Sequence, residues 1–260
     1  MDYASVEEGR TALGLRLVLT AGVPGPWGEA AKGILHVKKI PYTPVRQEGG
    51  QANDALRAWT GYDNAPQAVF ESERPRIAAA EIILLAERLE PSPPLVPNDA
   101  RERALMFGLL HEIAGELGFA WCRRLQIFHP ILRLPEGALP APLVESVARM
   151  AAKYGYSPEQ AAVADRRVVE ILALLSATLQ EQRARGREFL VGEALSAADV
   201  YWATFAAMLA PPPAEQCPMP EGMRQSYTIR DERTLAAADP ILLEHRDRIY
   251  RDFLELPLRF

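Results

Sequence analysis

The apolar positions at the start of the chain follow the pattern of a strand, a helix and a second strand. The apolar run at residues 16–20 predicts a strand, which the Gly- and Pro-containing loop at residues 21–26 ends. Apolar residues then recur at helical spacing over residues 27–35, directly after a proline that a first helical turn tolerates. Residues 40–45 form a second extended segment, and their prolines restrict it to a sheet edge. We therefore predict a β-α-β unit.

A second unit begins with the apolar segment at residues 65–71. A short extended piece follows near Pro75 and Arg76, and apolar residues at helical spacing then continue to Leu89. Residues 90–97 contain four prolines in eight positions, which is typical of a semi-rigid linker. We therefore place a domain boundary in this segment.

Almost all of the remaining chain has helical spacing, without an internal repeat. The predicted helices cover residues 99–128, 141–154, 158–185, 197–209 and 236–256. At the start of the fourth, Ser196 and Asp199 have the spacing of a capping box, and Leu195 is placed to pack on Val200. We expect this hexapeptide to have a structural role.

Composition and charge limit the function classes. Apolar residues make up 48% and charged residues 24% of the 260 positions, as in folded globular proteins. The net charge of −5, with no dense basic stripe, argues against a nucleic-acid partner.

The N-terminal residues are acidic, unlike a signal peptide, and no apolar run reaches the roughly 20 residues that span a bilayer. We therefore expect a cytoplasmic protein without a membrane partner. The chain has only two cysteines and four scattered histidines, so we expect neither a disulfide framework nor a metal site.

Taken in order, these units resemble the cytosolic glutathione S-transferase family, and the resemblance covers residues 16 to at least 210. The residues that carry it are Ala65–Pro66 before an apolar strand, Leu85–Leu89, Phe189–Glu193, and the segment Leu195–Asp199. The resemblance implies an α/β plus all-α fold. A thioredoxin-like domain would cover residues 16–90 and an all-helical domain residues 99–260.

The family stabilises or attacks the glutathione sulfur with a Tyr, Ser or Cys after the first strand, and this position corresponds to Gly25 here. A glycine offers no hydroxyl or thiol. What remains for catalysis is the backbone, namely the amides of Trp27 and Gly28 at the start of a helix, where partial positive charge favours a thiolate. The alternative is that Gly25 and Pro26 only form a tight turn.

The family's second anchor, an acidic residue followed by Ser that holds the γ-glutamyl end of glutathione, corresponds to Ile77–Ala78, whose side chains cannot hydrogen-bond. The amides at Ala78, helped by Arg74 or Arg76, would have to receive that carboxylate, unless both arginines are solvated turn residues. The Ala65–Pro66 pair matches the family's cis-proline, and the residue before that proline pairs through its backbone with the cysteinyl part of glutathione.

In the family the first long helix of the second domain lines the pocket of the second substrate. Here that helix carries His111, Trp121 and Arg124, which would suit a flat or acidic apolar substrate, although such residues more often form core or solvated faces. The long tail, residues 214–260, is expected simply to pack on the helical domain; the alternative is that it also closes over the cleft.

The resemblance thus implies an enzyme that uses glutathione as co-substrate, joining its thiol to an electrophilic apolar or aromatic compound or removing it from one, as a homodimer. The alternative is a non-catalytic protein of the same fold that binds an apolar ligand or a protein partner. A cysteine-based reductase or lyase fits poorly, because neither Cys122 nor Cys217 lies at the required position.

Overall fold

The computed structural model describes all 260 residues and begins with a three-stranded sheet. Its strands are β1 (Leu15–Thr20), β2 (Thr43–Gln47) and β3 (Gln67–Phe70). They lie in the order β2-β1-β3, with β2 parallel and β3 antiparallel to β1. Five of the six residues of β1 are buried, because its apolar run faces packed layers on both sides. The proline-containing β2 is an edge strand, as predicted.

Four helices accompany the sheet, namely α1 (Val6–Thr11), α2 (Pro26–Val37), α3 (Asp54–Thr60) and α4 (Ala79–Leu89). The sequence predicts α2 and α4 but neither α1 nor α3, which are one to two turns long and too short to show a periodicity. In α1, Ser5 and Glu8 form a capping box, and the preceding Ala4 bridges to Val45 of β2. The first half of the chain therefore includes residues before the predicted start at residue 16.

The peptide bond between Ala65 and Pro66, just before β3, is cis. The predicted extended piece is a single bridge, in which the amide and carbonyl of Arg76 pair with Ala68 at 2.8 and 2.9 Å. The chain then passes directly into α4.

The proline-rich linker is held against α2 by one buried lysine. The Nζ of Lys38 donates to the carbonyls of Glu90 and Pro93 at 2.7 and 2.9 Å, and it lies 2.8 Å from the carboxylate of Glu87. A buried charge must keep its oxygen partners, so the bonds from Lys38 to Glu90 and Pro93 fix the backbone of the linker against the end of α2.

The second half is helical. It comprises α5 (Ala100–Ala114), α6 (Phe119–Leu132), α7 (Ala141–Lys153), α8 (Pro158–Ala184), α9 (Ala197–Phe205), a 3₁₀ turn (Ala206–Met208), α10 (Glu221–Tyr227), α11 (Glu232–Ala237) and α12 (Pro240–Phe253). None of the helices of this chain combines the length and the apolar character that a bilayer span requires.

The predicted helix at residues 99–128 is wrong as a single element, because the chain turns between α5 and α6. Leu117 has a positive φ of 56°, and a Cβ at Gly118 would lie 2.7 to 2.9 Å from three carbonyl oxygens. Only glycine permits that approach. Helices α10 and α11 were also not predicted, since each has only six or seven residues.

Helix α9 is the centre of the core, and all nine of its residues are buried. Helix α2 of the first half packs on it closely, because a Cβ at Gly33 would come within 2.8 Å of Val200. The indole of Trp27 adds a polar link between the halves by donating to the carbonyl of Ala114 at 3.0 Å. The two halves thus share one hydrophobic core.

The capping box predicted at the start of α9 is confirmed. One carboxylate oxygen of Asp199 accepts from the amide and the hydroxyl of Ser196 at 2.9 and 2.7 Å. The other accepts from the amide of Leu190 at 2.8 Å and lies 2.9 Å from Nε2 of His245 on α12. Both Asp199 and His245 are buried, so the cap also joins α12 to the core.

Candidate functional site

A cavity of about 690 Å³ opens between the two halves of the molecule. From the first half it is lined by the end of β1, the start of α2 and the loops before α3 and β3. From the second half it is lined by parts of α6, α7 and α10. Of the residues proposed from the sequence, this cavity brings together Gly25, Trp27, Gly28, Ala65, Pro66 and Arg124.

The start of α2 presents free backbone donors to this cavity. Gly25 is the N-cap with extended φ and ψ of −65° and 124°, and no side chain caps the helix. Pro26 has no amide hydrogen, and the amides of Trp27 and Gly28 donate to no acceptor within the chain. An unsatisfied helix start carries partial positive charge and can receive an anion or a thiolate.

A buried carboxylate in the same helical turn is neutralised locally. Glu29 is 6% exposed, and both of its oxygens accept from Nζ of Lys32 at 2.9 Å. Burial raises the pKa of Glu29, while Lys32 acts in the opposite direction. The ion pair therefore limits the repulsion that Glu29 would exert on an anion at the start of α2.

The backbone of Ala65 forms a second set of free groups on this side of the cavity. Neither its amide nor its carbonyl takes part in a hydrogen bond within the chain. The following Pro66 also lines the cavity. A ligand peptide could therefore pair with Ala65 without displacing an existing bond, and no particular side chain is needed for this.

Side chains that the sequence did not single out complete this wall. Gln47 accepts from the hydroxyl of Thr20 at 2.7 Å and donates to the carbonyl of Asp63 at 3.2 Å. The carboxylate of Asp63 pairs with Arg57 and, at 3.3 Å, with Lys153 of α7. Burial pushes the pKa of Asp63 upward, but Lys153 and Arg57 outweigh it and the pKa is lowered. Asp63 therefore bridges the two halves as a carboxylate.

The start of α4 does not line this cavity, so Arg74, Arg76 and Ala78 are not brought together with the other proposed site residues. A carboxylate oxygen of Glu81 accepts from the amides of Ile77 and Ala78 at 3.2 and 3.4 Å. Arg74 pairs with this same Glu81 at 2.8 Å. The two amides just before α4, at the proposed anchor, are thus already satisfied from within the chain.

The second arginine of this segment is also engaged elsewhere. Arg76 pairs with Glu73 at 2.6 Å, and its side chain is 15% exposed. Arg88 of α4 binds the same carboxylate at 2.7 Å. Both partners are local, so this cluster stabilises the turn between β3 and α4.

Two of the three residues proposed for the second-substrate pocket also lie outside the cavity. His111 packs at the end of α5, where a Cβ at Gly115 would come within 2.3 Å of its ring. Trp121 supports the cavity from behind: its indole donates to the carbonyl of Tyr154 at 3.1 Å, and the two ring centroids are 4.7 Å apart. Trp121 is therefore a packing residue.

The third residue, Arg124, lines the cavity together with aromatic and basic residues from α7, its C-terminal end and the tail. Sequence pattern alone singled out none of Arg149, Met150, Lys153, Tyr154 and Met223, and it indicated no site role for Tyr227. No motif marks them, since α7 and α10 are amphipathic helices whose placement depends on tertiary packing. As expected for the tail, α10 and α12 pack on the helical half, and Met223 and Tyr227 of α10 line the cavity.

Comparisons with known proteins agree with this architecture. Residues 122–218 match the family described as glutathione S-transferase, C-terminal domain. No curated protein matches the chain by sequence. At the level of solved structures the agreement extends over nearly the whole chain.

A glutathione S-transferase of Methylobacterium radiotolerans, solved with glutathione sulfonate, has a TM-score of 0.61 and 16% identity, covering 92% of this chain and 91% of its own. The β-etherase LigF of Sphingobium sp. strain SYK-6 has a TM-score of 0.58 and 18% identity, and the match covers 91% of this chain and 100% of LigF. Rice GST1, in complex with glutathione, has a TM-score of 0.59 and 19% identity, and the match covers 94% of this chain and 92% of the rice protein. At these identities the likeness establishes the fold, a thioredoxin-like domain followed by a helical domain, as predicted.

Proposed function

We propose that this chain is a member of the glutathione S-transferase family that binds glutathione in the cavity between its halves and presents the thiol to an electrophilic apolar compound. The observation that carries the proposal is the set of free backbone groups on one wall. These are the amides of Trp27 and Gly28 and both polar groups of Ala65. Similar structures that contain glutathione or glutathione sulfonate support the choice of ligand.

In the proposed complex the cysteinyl part of glutathione pairs with the backbone of Ala65, and its sulfur lies beside Gly25. The amides of Trp27 and Gly28 then stabilise the thiolate, since they have no competing acceptor. Lowering the thiol pKa by one unit corresponds to about 1.4 kcal/mol of preferential thiolate stabilisation. Backbone donors alone are expected to produce a shift of this order.

The reaction itself requires little else from the protein. The thiolate attacks an electrophilic carbon, a carbon–sulfur bond forms, and the leaving group departs with its electron pair while the thiol proton passes to water. Holding sulfur and carbon together in the cavity would supply much of the acceleration. The reverse direction, removal of glutathione from a conjugate, uses the same contacts.

One observation favours a second candidate function, a non-catalytic carrier. No hydroxyl or thiol side chain is present at Gly25, where the family has its reactive group. A protein that only binds an apolar ligand would not need one. That the chain forms a homodimer, and in which direction the reaction runs, stay predictions. Sedimentation analysis of the purified protein tests the homodimer.

Calorimetric titration with glutathione and with γ-glutamyl-alanyl-glycine separates these functions. If the helix start stabilises the thiolate, glutathione binds more tightly than the tripeptide without sulfur, and its bound thiol ionises at least one pH unit below the ordinary value of about 8.5. Thiolate absorbance measured against pH gives that shift. Binding with an unshifted thiol would support the carrier, and no binding at all would overturn both the transferase and the proposed cavity ligand.

A further inference from the structure

The wall of the cavity opposite α2 carries a guanidinium that has no carboxylate partner. An Nη of Arg124 donates to the hydroxyl of Tyr227 at 2.9 Å, and its guanidinium carbon lies 5.3 Å from the centroid of that ring. Its Nε is shielded from solvent and has no hydrogen-bond partner. A charged group in this position is normally paired with an opposite charge.

The neighbouring Arg123 shows that this is not a general property of α6. Arg123 donates to the carbonyls of Met208 and Tyr227 at 2.9 and 3.3 Å and to the side-chain oxygen of Gln126 at 2.7 Å. All three of its nitrogens are thus satisfied by fixed protein oxygens. Arg124, in contrast, faces the cavity with donor capacity left over.

The other charged residues that line the cavity do not neutralise Arg124. Arg149 of α7 is exposed and forms no ion pair, while Lys153 is paired with Asp63. The buried carboxylate of Glu29 is paired with Lys32. An excess of positive charge therefore remains at the α6 and α7 end of the cavity.

Tyr154, which lines the cavity with Arg124, belongs to an aromatic cluster that reaches Trp27 at the start of α2. The ring of Tyr154 is 6.3 Å from that of Trp27, 4.7 Å from that of Trp121 and 5.7 Å from that of Phe128, measured between centroids. Tyr154 also lines the cavity next to Arg124. Tyr154 therefore neighbours both the guanidinium of Arg124 and the ring of Trp27 at the proposed sulfur position.

We infer that the second substrate is an aromatic carboxylate, whose acid group binds Arg124 and whose ring lies against Tyr154 and Tyr227. This inference rests on the proposed function insofar as it places the electrophilic carbon beside glutathione. A halogenated nitrobenzoate has this chemistry. The thiolate attacks the ring carbon that carries fluorine, the carbon–sulfur bond forms, and fluoride leaves with the electron pair of the broken bond while the thiol proton passes to water.

The first test needs neither glutathione nor turnover. Titration with 3-nitrobenzoate and with the neutral 3-nitrobenzamide compares two ligands of the same shape. We expect the wild-type chain to prefer the carboxylate by about 10- to 100-fold, the range of one charge-assisted contact. Arg124→Met should remove this preference and leave benzamide binding within about twofold.

Arg133→Met is the matched control, because Arg133 lies at the exposed end of the same helix, outside the cavity. Its preference for the carboxylate should equal that of the wild type. Equal binding of the two ligands by the wild type would overturn the inference. A loss of preference in Arg133→Met as large as in Arg124→Met would do the same.

If Arg124→Met fails to fold, Arg124→Lys, which keeps the positive charge, replaces it. The comparison of nitrobenzoate with nitrobenzamide in the wild type requires no variant and still tests the inference. The second test compares kcat/KM for 4-fluoro-3-nitrobenzoate and 4-fluoro-3-nitrobenzamide with glutathione. Turnover of both at equal efficiency would overturn the inference while the proposed function stands. A carboxylate preference in binding without any glutathione binding would retain the acid site and remove the transferase.

Discussion

The helix starts of α2 and α9 lie in contacting elements of one core, yet their backbone donors have opposite fates. At α9, Ser196 and Asp199 satisfy each other, and the same carboxylate also holds Leu190 and His245. At α2, Gly25 supplies no side chain and the donors behind it are free. A helix start that its own side chains satisfy contributes stability, whereas one left open beside a cavity is available to a ligand.

The start of α4 shows why position in the family pattern was not sufficient to identify an anchor. The sequence places Ile77–Ala78 where the family binds the γ-glutamyl end, and both lack polar side chains, as Gly25 does. The difference is that Glu81, in the first turn of α4, accepts from the amides of Ile77 and Ala78, which lie just before that helix. Substitutions can test this contrast between backbone donors left free beside the cavity and donors already bound by a carboxylate.

The largest effect is expected for Asp199→Ala. This change leaves buried donors at Ser196, Leu190 and His245 without their acceptor, so we expect a loss of about 3–5 kcal/mol in the free energy of unfolding. Urea unfolding measures the loss. Asp231→Ala is the control, because Asp231 is exposed and caps only the short α11, so about 1 kcal/mol is expected. A loss of ligand affinity at unchanged stability would instead make Asp199 a site residue.

Gly25→Asp converts the open start of α2 into a satisfied one. Gly25 has an ordinary φ, and a Cβ there would meet no atom within 4 Å, so the side chain fits. Its carboxylate should cap the free amides and repel a thiolate, and we expect glutathione affinity to fall at least tenfold with stability unchanged or slightly raised. The control is Gly25→Ala, which offers no acceptor and should bind glutathione nearly as the wild type does. Calorimetry measures the affinity of both variants. Unchanged affinity in Gly25→Asp would rule out this helix start as the sulfur site.

Glu81→Gln should reduce stability by about 1 kcal/mol at neutral pH and leave glutathione affinity unchanged. Burial pushes the pKa of Glu81 upward, but hydrogen bonds from Arg74 and from the amides of Ile77 and Ala78 outweigh it, and the pKa is lowered. The carboxylate therefore stabilises the fold above its unfolded pKa of about 4.3, and this contribution is lost as the pH falls through the folded value. Unfolding curves of the two proteins should converge at low pH. A constant difference at all pH values would exclude this carboxylate as the cause.

The smallest effect is expected for Arg74→Met. The arginine side chain is 65% exposed and pairs only with Glu81, so the stability change should stay within about 1 kcal/mol. Because Arg74 lies away from the cavity, glutathione affinity should be the same as in the wild type. A tenfold weakening of glutathione affinity would show that the start of α4 belongs to the binding site and would contradict the contrast drawn with α2.

Local pattern was informative wherever one short segment contained its own partners. The capping box of α9 is an example, because Ser196 and Asp199 are three residues apart and a helix start requires their interaction. The α2 start was also predictable, since Gly25 and Pro26 determine locally which amides exist. Local pattern was not sufficient around α4. There Glu81 competes with a ligand for the amides of Ile77 and Ala78, and spacing alone does not show which acceptor these amides bind.

The sequence by itself determined the three strands, helices α2 and α4, the linker and the free donors that follow Gly25, because each follows from the residues within a few positions. The tertiary structure alone decided which side chains meet. It turned the chain at Gly118, placed Trp121 behind Tyr154, and brought Tyr227 from the tail against Arg124. Such contacts join residues up to about a hundred positions apart, and hydrophobic burial, which is non-directional, specifies them only through the packing of the whole core.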